Sequence, residues 1–114
     1  MTRGEIWQVE FENSSKNKVS FPHPALIVQD NSFNESSIKT ILVLPITSNL
    51  NLLNAPGNVL IKRRESKLID DAVIIVSQLY AMDRVMFKKK ISKVDKTIMN
   101  QVEVGLKLVL GINK

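Results

Sequence analysis

Residues 5–11, EIWQVEF, alternate between two faces when the chain is extended. One face would hold Trp7, Val9 and Phe11, and the other Ile6, Gln8 and Glu10. Because successive side chains of a strand point to opposite sides, this pattern predicts a half-buried β-strand near the N-terminus.

Four more apolar runs, rich in β-branched residues, follow along the chain. They are PALIVQ at 24–29, IKTILVLPI at 38–46, GNVLIKR at 57–63 and AVIIVSQ at 72–78. Such residues pack well on a pleated surface, so we expect at least five strands. The polar breaks between the runs are too short for the full-length helices that join parallel strands. The sequence therefore predicts a mainly β fold with some α, built as an antiparallel, strongly bent sheet or small barrel.

The C-terminal stretch changes to a three- and four-residue period. The apolar positions that recur are Val94, Ile98, Val102, Leu106 and Val109. This spacing predicts an amphipathic helix whose apolar stripe lies across the sheet. Ser92 and Asp95 resemble a capping box at the helix start, and Gly111 supplies the stop.

Composition limits the class of protein. A chain of 114 residues fits one compact domain, over residues 1–114. The chain has no Cys and one His, which excludes a disulfide framework and a thiolate metal site and argues against a zinc site. Charges interrupt the N-terminal segment, and no apolar run approaches the length of a membrane span. We therefore expect a soluble, cytoplasmic protein with no membrane partner.

The net charge of +5 favours a polyanionic partner such as nucleic acid or an acidic protein segment. The basic residues are clustered: Lys16 and Lys18 lie in a polar loop, residues 62–64 end an apolar strand, and residues 88–90 precede the last helix. For the run at 88–90, protection of a sheet edge or simple solvation is the favoured interpretation.

His23, the only histidine, lies between Pro22 and Pro24. Proline fixes its own φ and disfavours helical backbone at the residue before it, so this segment should be a stiff, extended entry to a strand. A stiff position suits a reactive group, but it also suits an ordinary strand boundary. From these residues alone, the strand boundary is the favoured interpretation.

Six blocks of sequence resemble the MazF/PemK family of bacterial toxins. They are RGEIW at 3–7, PALIVQDNSFN at 24–34, PITSNL at 45–50, APGNVLI at 55–61, DAVIIVSQL at 71–79 and VEVGLKLVLGI at 102–112. Each block alone is typical of any strand followed by a turn. Six such blocks in the family's order over a short chain are specific for the family. The resemblance implies a small SH3-like antiparallel barrel of the CcdB/PemK type with a C-terminal helix.

The same resemblance implies a function. Members are toxins of type II toxin-antitoxin systems that cleave single-stranded mRNA at selected sequences, without a metal ion or other cofactor. The ribose 2′-hydroxyl attacks the adjacent phosphate, which leaves a 2′,3′-cyclic phosphate and a 5′-hydroxyl. The implied partners are RNA, a second copy in a homodimer, and a MazE-like antitoxin whose complex with the toxin binds operator DNA.

The resemblance assigns His23 and Thr47 to catalysis. The family places an arginine before the proline that opens its second strand, and a threonine in a P-x-T stretch. Thr47 matches the threonine, with Ser48 and Asn49 as adjuncts of the same turn, whereas His23 stands where the arginine is expected. Arginine is a fixed cation, whereas histidine exchanges protons near neutral pH. A fixed charge would then have to come from elsewhere, such as Lys18 or Arg3.

The resemblance also indicates RNA-binding residues. Ser77 and Gln78 stand where the family usually has an acidic residue and a glutamine that reads bases. Gln78 keeps an amide for a base edge, whereas Ser77 lacks the carboxylate, so the recognised sequence is expected to differ. Lys16 and Lys18 replace a glycine-bearing acidic loop of the family, and basic side chains there would hold the RNA backbone.

Aromatic residues offer base stacking as well. Trp7 and Phe33 are candidates, but Trp7 shares a face with Val9 and Phe11, which favours a place in the core.

Two alternatives from other classes stay open. One is a member that has lost cleavage together with its arginine and acts as a module that binds RNA or antitoxin. The other is a CcdB-like gyrase poison. Chains of that type typically end in tryptophan-glycine-isoleucine, whereas this chain has Leu110-Gly111-Ile112 followed by two more residues, which disfavours the gyrase interpretation.

Overall fold

Seven strands and three helices make up the part of the chain that the computed structural model describes, residues 1–11 and 22–112. The strands are β1 Glu5–Glu10, β2 Pro22–Ile27, β3 Thr40–Thr47, β4 Val59–Ile61, β5 Ala72–Ile74, β6 Tyr80–Asp83 and β7 Phe87–Lys93. The helices are α1 Asn31–Asn34, α2 Arg63–Ser66 and α3 Lys96–Leu110, with 3-10 turns at Leu50–Asn54, Val76–Gln78 and Arg84–Met86. None of these described helices is long and apolar enough to cross a membrane. The loop with Lys16 and Lys18 lies outside the described residues.

All strand pairs in the described ranges are antiparallel, as the short connections predict. The sheet order is β4-β5-β3-β2-β1-β7, and β6 also pairs with β3. β3 is central because one of its edges pairs with β2 while the other pairs first with β6 and then with β5. The C-terminal end of β3 therefore lies where several strands meet.

The structure has two strands, β6 and β7, that lie beyond the five apolar runs. The lysines at 88–90 are inside β7, which ends the sheet order, and all three are exposed. Lys90 Nζ lies 3.2 Å from Glu5 Oε2, and Lys88 Nζ lies 3.8 Å from Glu10 Oε2. This arrangement fits the interpretation that lysines protect a sheet edge. The run at 57–63 is shorter than predicted, because only Val59–Ile61 is strand and α2 begins at Arg63.

Two apolar clusters fill the two sides of the sheet. The first core joins the sheet to α3 and includes Ile6, Leu26, Leu44, Ile74 and Val102. The second core lies on the opposite face and consists of Val9, Ala25, Ile27, Ile41, Val43 and Met82, with Trp7, Phe11, Met86 and Phe87 packed against it. Because Ile6 and Val9 are both fully buried, β1 is covered on both faces there, more than the half-buried strand that the alternation predicts.

α3 begins and ends at specific caps. Asp95 is the N-cap, and its Oδ1 accepts a hydrogen bond of 2.9 Å from the backbone N–H of Ile98. The predicted capping box with Ser92 is wrong, because Ser92 lies in β7 and its hydroxyl donates to the carbonyl of Ser66. Gly111 ends the helix with a φ of 70°, as predicted. Of the predicted stripe, Val109 is 42% exposed and does not reach the core.

Candidate active site

A cavity of about 760 Å³ opens at one end of the second core. Its polar or aromatic lining residues are Phe11, His23, Thr47, Ser48, Asp70, Gln78 and Tyr80. Pro24, Pro45 and several aliphatic side chains complete its wall. The cavity therefore brings together residues that are up to 69 positions apart in the chain, from Phe11 to Tyr80.

The strands of the second core carry these side chains outward. On a strand, residues two apart lie on the same face. Phe11 follows the buried Val9 by two positions, His23 precedes the buried Ala25 by two, and Tyr80 precedes the buried Met82 by two. The cavity thus lies beside one end of the second core, and Ile46, Leu68 and Ala72, which belong to the first core or pack against it, form part of its wall.

The pairing of β2 with β3 sets His23 opposite Thr47. Leu26 pairs with Leu44, and Ala25 pairs with Pro45. Continued for two more residues, this register places His23 across from Thr47, and on the same face of the sheet. The two residues assigned to catalysis therefore line one cavity, although 24 positions separate them.

His23 is exposed and is the second residue of β2. It therefore lies at the start of a strand and also lines the cavity, so the two interpretations of this residue are compatible. On the side of β1 it pairs with Val9. Its ring lies 5.6 Å from that of Phe11, centroid to centroid, in an edge-to-face arrangement at 62°. The imidazole is consequently supported by an aromatic ring yet open to solvent, as a group that exchanges protons with a ligand must be.

Thr47 ends β3, and a short network of hydrogen bonds fixes the turn that follows. The Thr47 hydroxyl oxygen accepts from the Asn49 backbone N–H at 3.1 Å, and Asn49 Oδ1 accepts from the Asn51 N–H at 3.1 Å. Because a hydroxyl can accept and donate at once, Thr47 keeps its O–H for a ligand. Asn49 caps the 3-10 turn Leu50–Asn54 and does not line the cavity, whereas Ser48 does.

Gln78 and Ser77 lie in the 3-10 turn Val76–Gln78 rather than at the end of a strand, since β5 stops at Ile74. Both are exposed. Gln78 lines the cavity, but Ser77 is not among the lining residues. The structure thus gathers His23, Thr47, Ser48 and Gln78 and leaves Ser77 and Asn49 outside.

Arg63 offers a fixed positive charge in an adjoining cavity, and sequence reasoning noted it only within a basic run. Arg63 lines a second cavity of about 500 Å³ that shares Ser48 and Asp70 with the first. Its backbone N–H donates to Asp71 Oδ1 at 2.9 Å, which lowers the pKa of the Asp71 carboxyl. Lys62 Nζ lies 3.7 Å from the same carboxylate. The charge of Asp71 is thus already offset by neighbours.

Arg3, an expected source of charge, is engaged elsewhere. Its Nη1 lies 2.9 Å from Glu103 Oε2, and its Nε donates to the Val28 carbonyl at 2.9 Å. It does not line the cavity. These contacts tie the N-terminal segment to α3, so the role of Arg3 is structural.

Sequence reasoning missed Phe11, Asp70 and Tyr80 as cavity residues. The local sequence around these three residues does not distinguish them from ordinary strand or turn residues. Within residues 1–11 and 22–112, no three His, Cys, Asp or Glu side chains are placed to hold a metal ion together. The lining therefore offers an imidazole, hydroxyls, an amide, one carboxylate and two aromatic rings.

Comparison with known proteins gives consistent results. The family described as PemK-like, MazF-like toxin of type II toxin-antitoxin system matches residues 2–110. Endoribonuclease MazF2 of Mycobacterium bovis is 27% identical over 112 residues, which cover 98% of each chain. MazF in the MazE-MazF crystal structure (Form-II) from Deinococcus radiodurans superimposes with a TM-score of 0.82 at 16% identity, covering 99% of this chain and 97% of that one.

A mycobacterial endoribonuclease in complex with its cognate antitoxin superimposes with a TM-score of 0.79 at 17% identity. The match covers 100% of this chain and 98% of that one. At 16–17% identity, the two structural matches give evidence about the fold alone. They confirm the predicted antiparallel sheet with a C-terminal helix.

Proposed function

Because this chain belongs to the PemK-like, MazF-like toxins of type II toxin-antitoxin systems, whose family pattern spans residues 2–110, we propose that it is an endoribonuclease acting on single-stranded mRNA in the cytoplasm. The relative named as an endoribonuclease, similar over almost the whole chain, supports this activity. The observation that carries the proposal is the shared cavity of His23 and Thr47, which the β2–β3 register creates.

In the proposed reaction His23 transfers a proton. The 2′-oxygen attacks phosphorus while the imidazole takes up the 2′-hydroxyl proton, the bond to the 5′-oxygen breaks, and that oxygen is protonated from solvent. The products are a 2′,3′-cyclic phosphate and a 5′-hydroxyl. General base catalysis of this kind commonly contributes ~10²–10⁴ in rate. The reaction needs no metal ion in this scheme.

Thr47 and Arg63 stabilise the phosphate. The Thr47 O–H donates to a non-bridging oxygen, where negative charge gathers in the transition state. Arg63, across the shared Ser48, supplies the fixed cation that the family places at the position of His23. The Gln78 amide forms hydrogen bonds with the edge of a base. Its neighbour Ser77 has no carboxylate, so no acidic group at that position takes part in base recognition. Lys16 and Lys18 are proposed to hold the RNA backbone.

Cleavage in EDTA tests the proposal. Purified protein should cut a mixed-sequence RNA, spare the same sequence made with 2′-deoxyriboses, and yield 5′-hydroxyl ends. His23→Ala and Thr47→Ala should each lose about tenfold or more in rate. Val104→Ala, a change at an exposed position of α3 outside the cavity, is the control and should cut like the wild type. Circular dichroism spectra must match for all variants.

His23→Arg separates proton transfer from charge. Arginine keeps a positive charge at this position but is a poor proton acceptor, so His23→Arg should lose about tenfold or more in rate, as His23→Ala does. An arginine variant that cuts as fast as the wild type would place proton transfer on another group. RNA that stays intact with the wild type but is bound would favour the module that binds without cleaving.

The partners follow from family membership. We propose that a MazE-like antitoxin silences the enzyme by placing an acidic, flexible segment over the basic site. Structures of similar proteins solved together with antitoxin support an antitoxin as the partner. The homodimer, and operator DNA binding by the complex with antitoxin, stay predictions, and sedimentation velocity of the purified chain at several concentrations tests the first of them.

A further inference from the structure

Three aromatic rings form a continuous row along one wall of the cavity. Phe11 is central, with its centroid 5.6 Å from that of His23 and 5.5 Å from that of Tyr80. Both contacts are edge-to-face, at 62° and 72°. Such geometry is favourable between aromatic rings, so Phe11 holds the other two rings in position.

Tyr80 is far more open than its position in β6 suggests. It pairs with Val43, which is fully buried, and it shares a face with Met82, which is 1% exposed. Tyr80 is nevertheless 47% exposed, because the second core ends there and the cavity begins. Tyr80 is thus about half open to solvent, while the edge contact with Phe11 restrains its ring.

A restrained, half-exposed ring beside a phosphate-binding group suits a nucleobase. Bases stack on aromatic side chains in proteins that bind single-stranded nucleic acid, and the contact tolerates any base because every base has a π-face. Gln78, two residues before Tyr80, lines the same cavity and offers two donors and one acceptor for the edge of a stacked base.

We propose that Tyr80, supported by Phe11, forms a stacking subsite for one nucleobase next to the link held by His23 and Thr47. The subsite rests on the proposed function, because it takes single-stranded RNA as the ligand. Phe11 contacts both Tyr80 and His23, so a base on Tyr80 also fixes the ring that supports the imidazole. Phe33, which is 52% exposed in α1, does not line the cavity and takes no part.

Binding of an uncleavable RNA tests the subsite independently of catalysis. The probe is a short oligonucleotide with 2′-O-methyl riboses throughout, measured by fluorescence anisotropy at fixed salt. Tyr80→Leu should weaken binding by about tenfold, within the range found when a stacking ring is removed. Tyr80→Phe keeps the ring and should restore most of the affinity. Phe33→Leu removes an exposed aromatic elsewhere and should bind like the wild type.

A series of probes, each with one abasic position, identifies the contact. At one position the abasic change should weaken the wild type but leave Tyr80→Leu unaffected, because the same interaction is already lost. Additive losses at every position would overturn the subsite. If Tyr80→Leu unfolds, Tyr80→Trp replaces it and should bind at least as tightly as the wild type, and weaker binding would count against stacking.

The two proposals fail in different ways. A wild type that cuts RNA while Tyr80→Leu binds and cuts equally well would remove the subsite and leave the endoribonuclease intact. A wild type that neither binds the probe nor cuts RNA would overturn both.

Discussion

His23 and Thr47 show how a pair of side chains is positioned by backbone pairing rather than by contact between them. His23 lies two residues before Ala25 in β2, and Thr47 lies two residues after Pro45 in β3. Ala25 and Pro45 pair with each other across the two strands, which fixes the positions of both neighbours. A slip of one residue in this register would turn either side chain to the opposite face. The apolar residues of the second core therefore determine where the reactive groups lie, although they touch no ligand.

Glu5 is a buried carboxylate whose ionisation is coupled to the stability of the fold. Burial by itself raises the pKa of its carboxyl group, but donors from the Trp7 indole, from Thr2 and from Lys90 outweigh it and lower the pKa to about 2. The indole Nε1 lies 2.8 Å from Glu5 Oε1, and the Thr2 hydroxyl lies 2.8 Å from Oε2. The ionised side chain thus joins the N-terminal segment to β7.

We expect Glu5→Gln to lower the free energy of unfolding by about 2 to 3 kcal/mol near pH 7. A carboxyl with a lowered pKa stabilises the fold above its unfolded value of 4.5, and this contribution is lost as the pH falls toward about 2. The difference between mutant and wild type should therefore shrink over that interval. Urea denaturation at a series of pH values measures it.

Glu10→Gln in the same strand is the control for that measurement. Among the described residues, the ion pair of Glu10 is a loose, partly exposed contact of 3.8 Å with Lys88, so its replacement should change stability by less than about 1 kcal/mol. Equal effects of the two substitutions at every pH would show that the buried hydrogen bonds of Glu5 contribute nothing specific.

Sequence patterns could locate some site residues and not others. Thr47 and Gln78 lie inside blocks that resemble the family, and His23 directly precedes one, so the sequence around them identifies them as candidates. Phe11 and Tyr80 look like ordinary strand residues, and their exposure depends on where the second core ends. Arg63 reaches the site only because α2 replaces the end of a predicted strand. No local pattern contains such facts.

At the scale of elements, the close approach of α3 to the turn after Leu50–Asn54 is set by two glycines. A Cβ on Gly105 would press against the Gly57 carbonyl oxygen and lie 3.1 Å from a Val76 side-chain carbon. Gly57 has a φ of +87°, which favours glycine there as well. α3 therefore packs directly on the backbone of Gly57, next to the turn that contains Val76 and Gln78.

Gly105→Ala should lower the free energy of unfolding by about 1 to 3 kcal/mol through overpacking, even though alanine favours a helix by ~1 kcal/mol over glycine. Val104→Ala, at a neighbouring position that is 69% exposed, should be neutral or slightly stabilising. Thermal unfolding of both variants measures the effect. A Gly105→Ala protein as stable as Val104→Ala would mean that α3 moves away from Gly57 without cost.

The elements that sequence patterns predicted well have a clear period and little charge. β1, β3 and α3 are of this kind. β7 was missed because consecutive lysines hide its alternation, and two register shifts in its pairing with β1 break the pattern further. The caps of α3 were predicted at Gly111 and misassigned at Ser92, since Ser92 finds a partner in α2 that only the folded chain provides.

At the scale of the whole molecule, the net charge of +5 favours RNA over any neutral partner, but not every basic residue is placed to use it. Lys88, Lys90 and Arg3 are paired with carboxylates of the same chain. Lys62 is likewise paired with Asp71. Arg63 differs because it lines the second cavity, which shares Ser48 and Asp70 with the cavity of His23 and Thr47. The overall positive charge favours association with RNA, whereas direct contacts with phosphate are expected only from basic residues near the cavity, such as Arg63.

Salt dependence separates these roles. Each phosphate contact to single-stranded nucleic acid contributes a slope of roughly 0.7 in a plot of log affinity against log salt. Arg63→Gln should weaken binding of the uncleavable probe for every sequence and reduce the slope by about that amount. Lys39→Gln removes the same charge just before β3, at the end of the strand opposite Thr47, and should leave the slope unchanged. Equal slopes for both variants would mean that Arg63 touches no phosphate and that the fixed cation of the site comes from elsewhere.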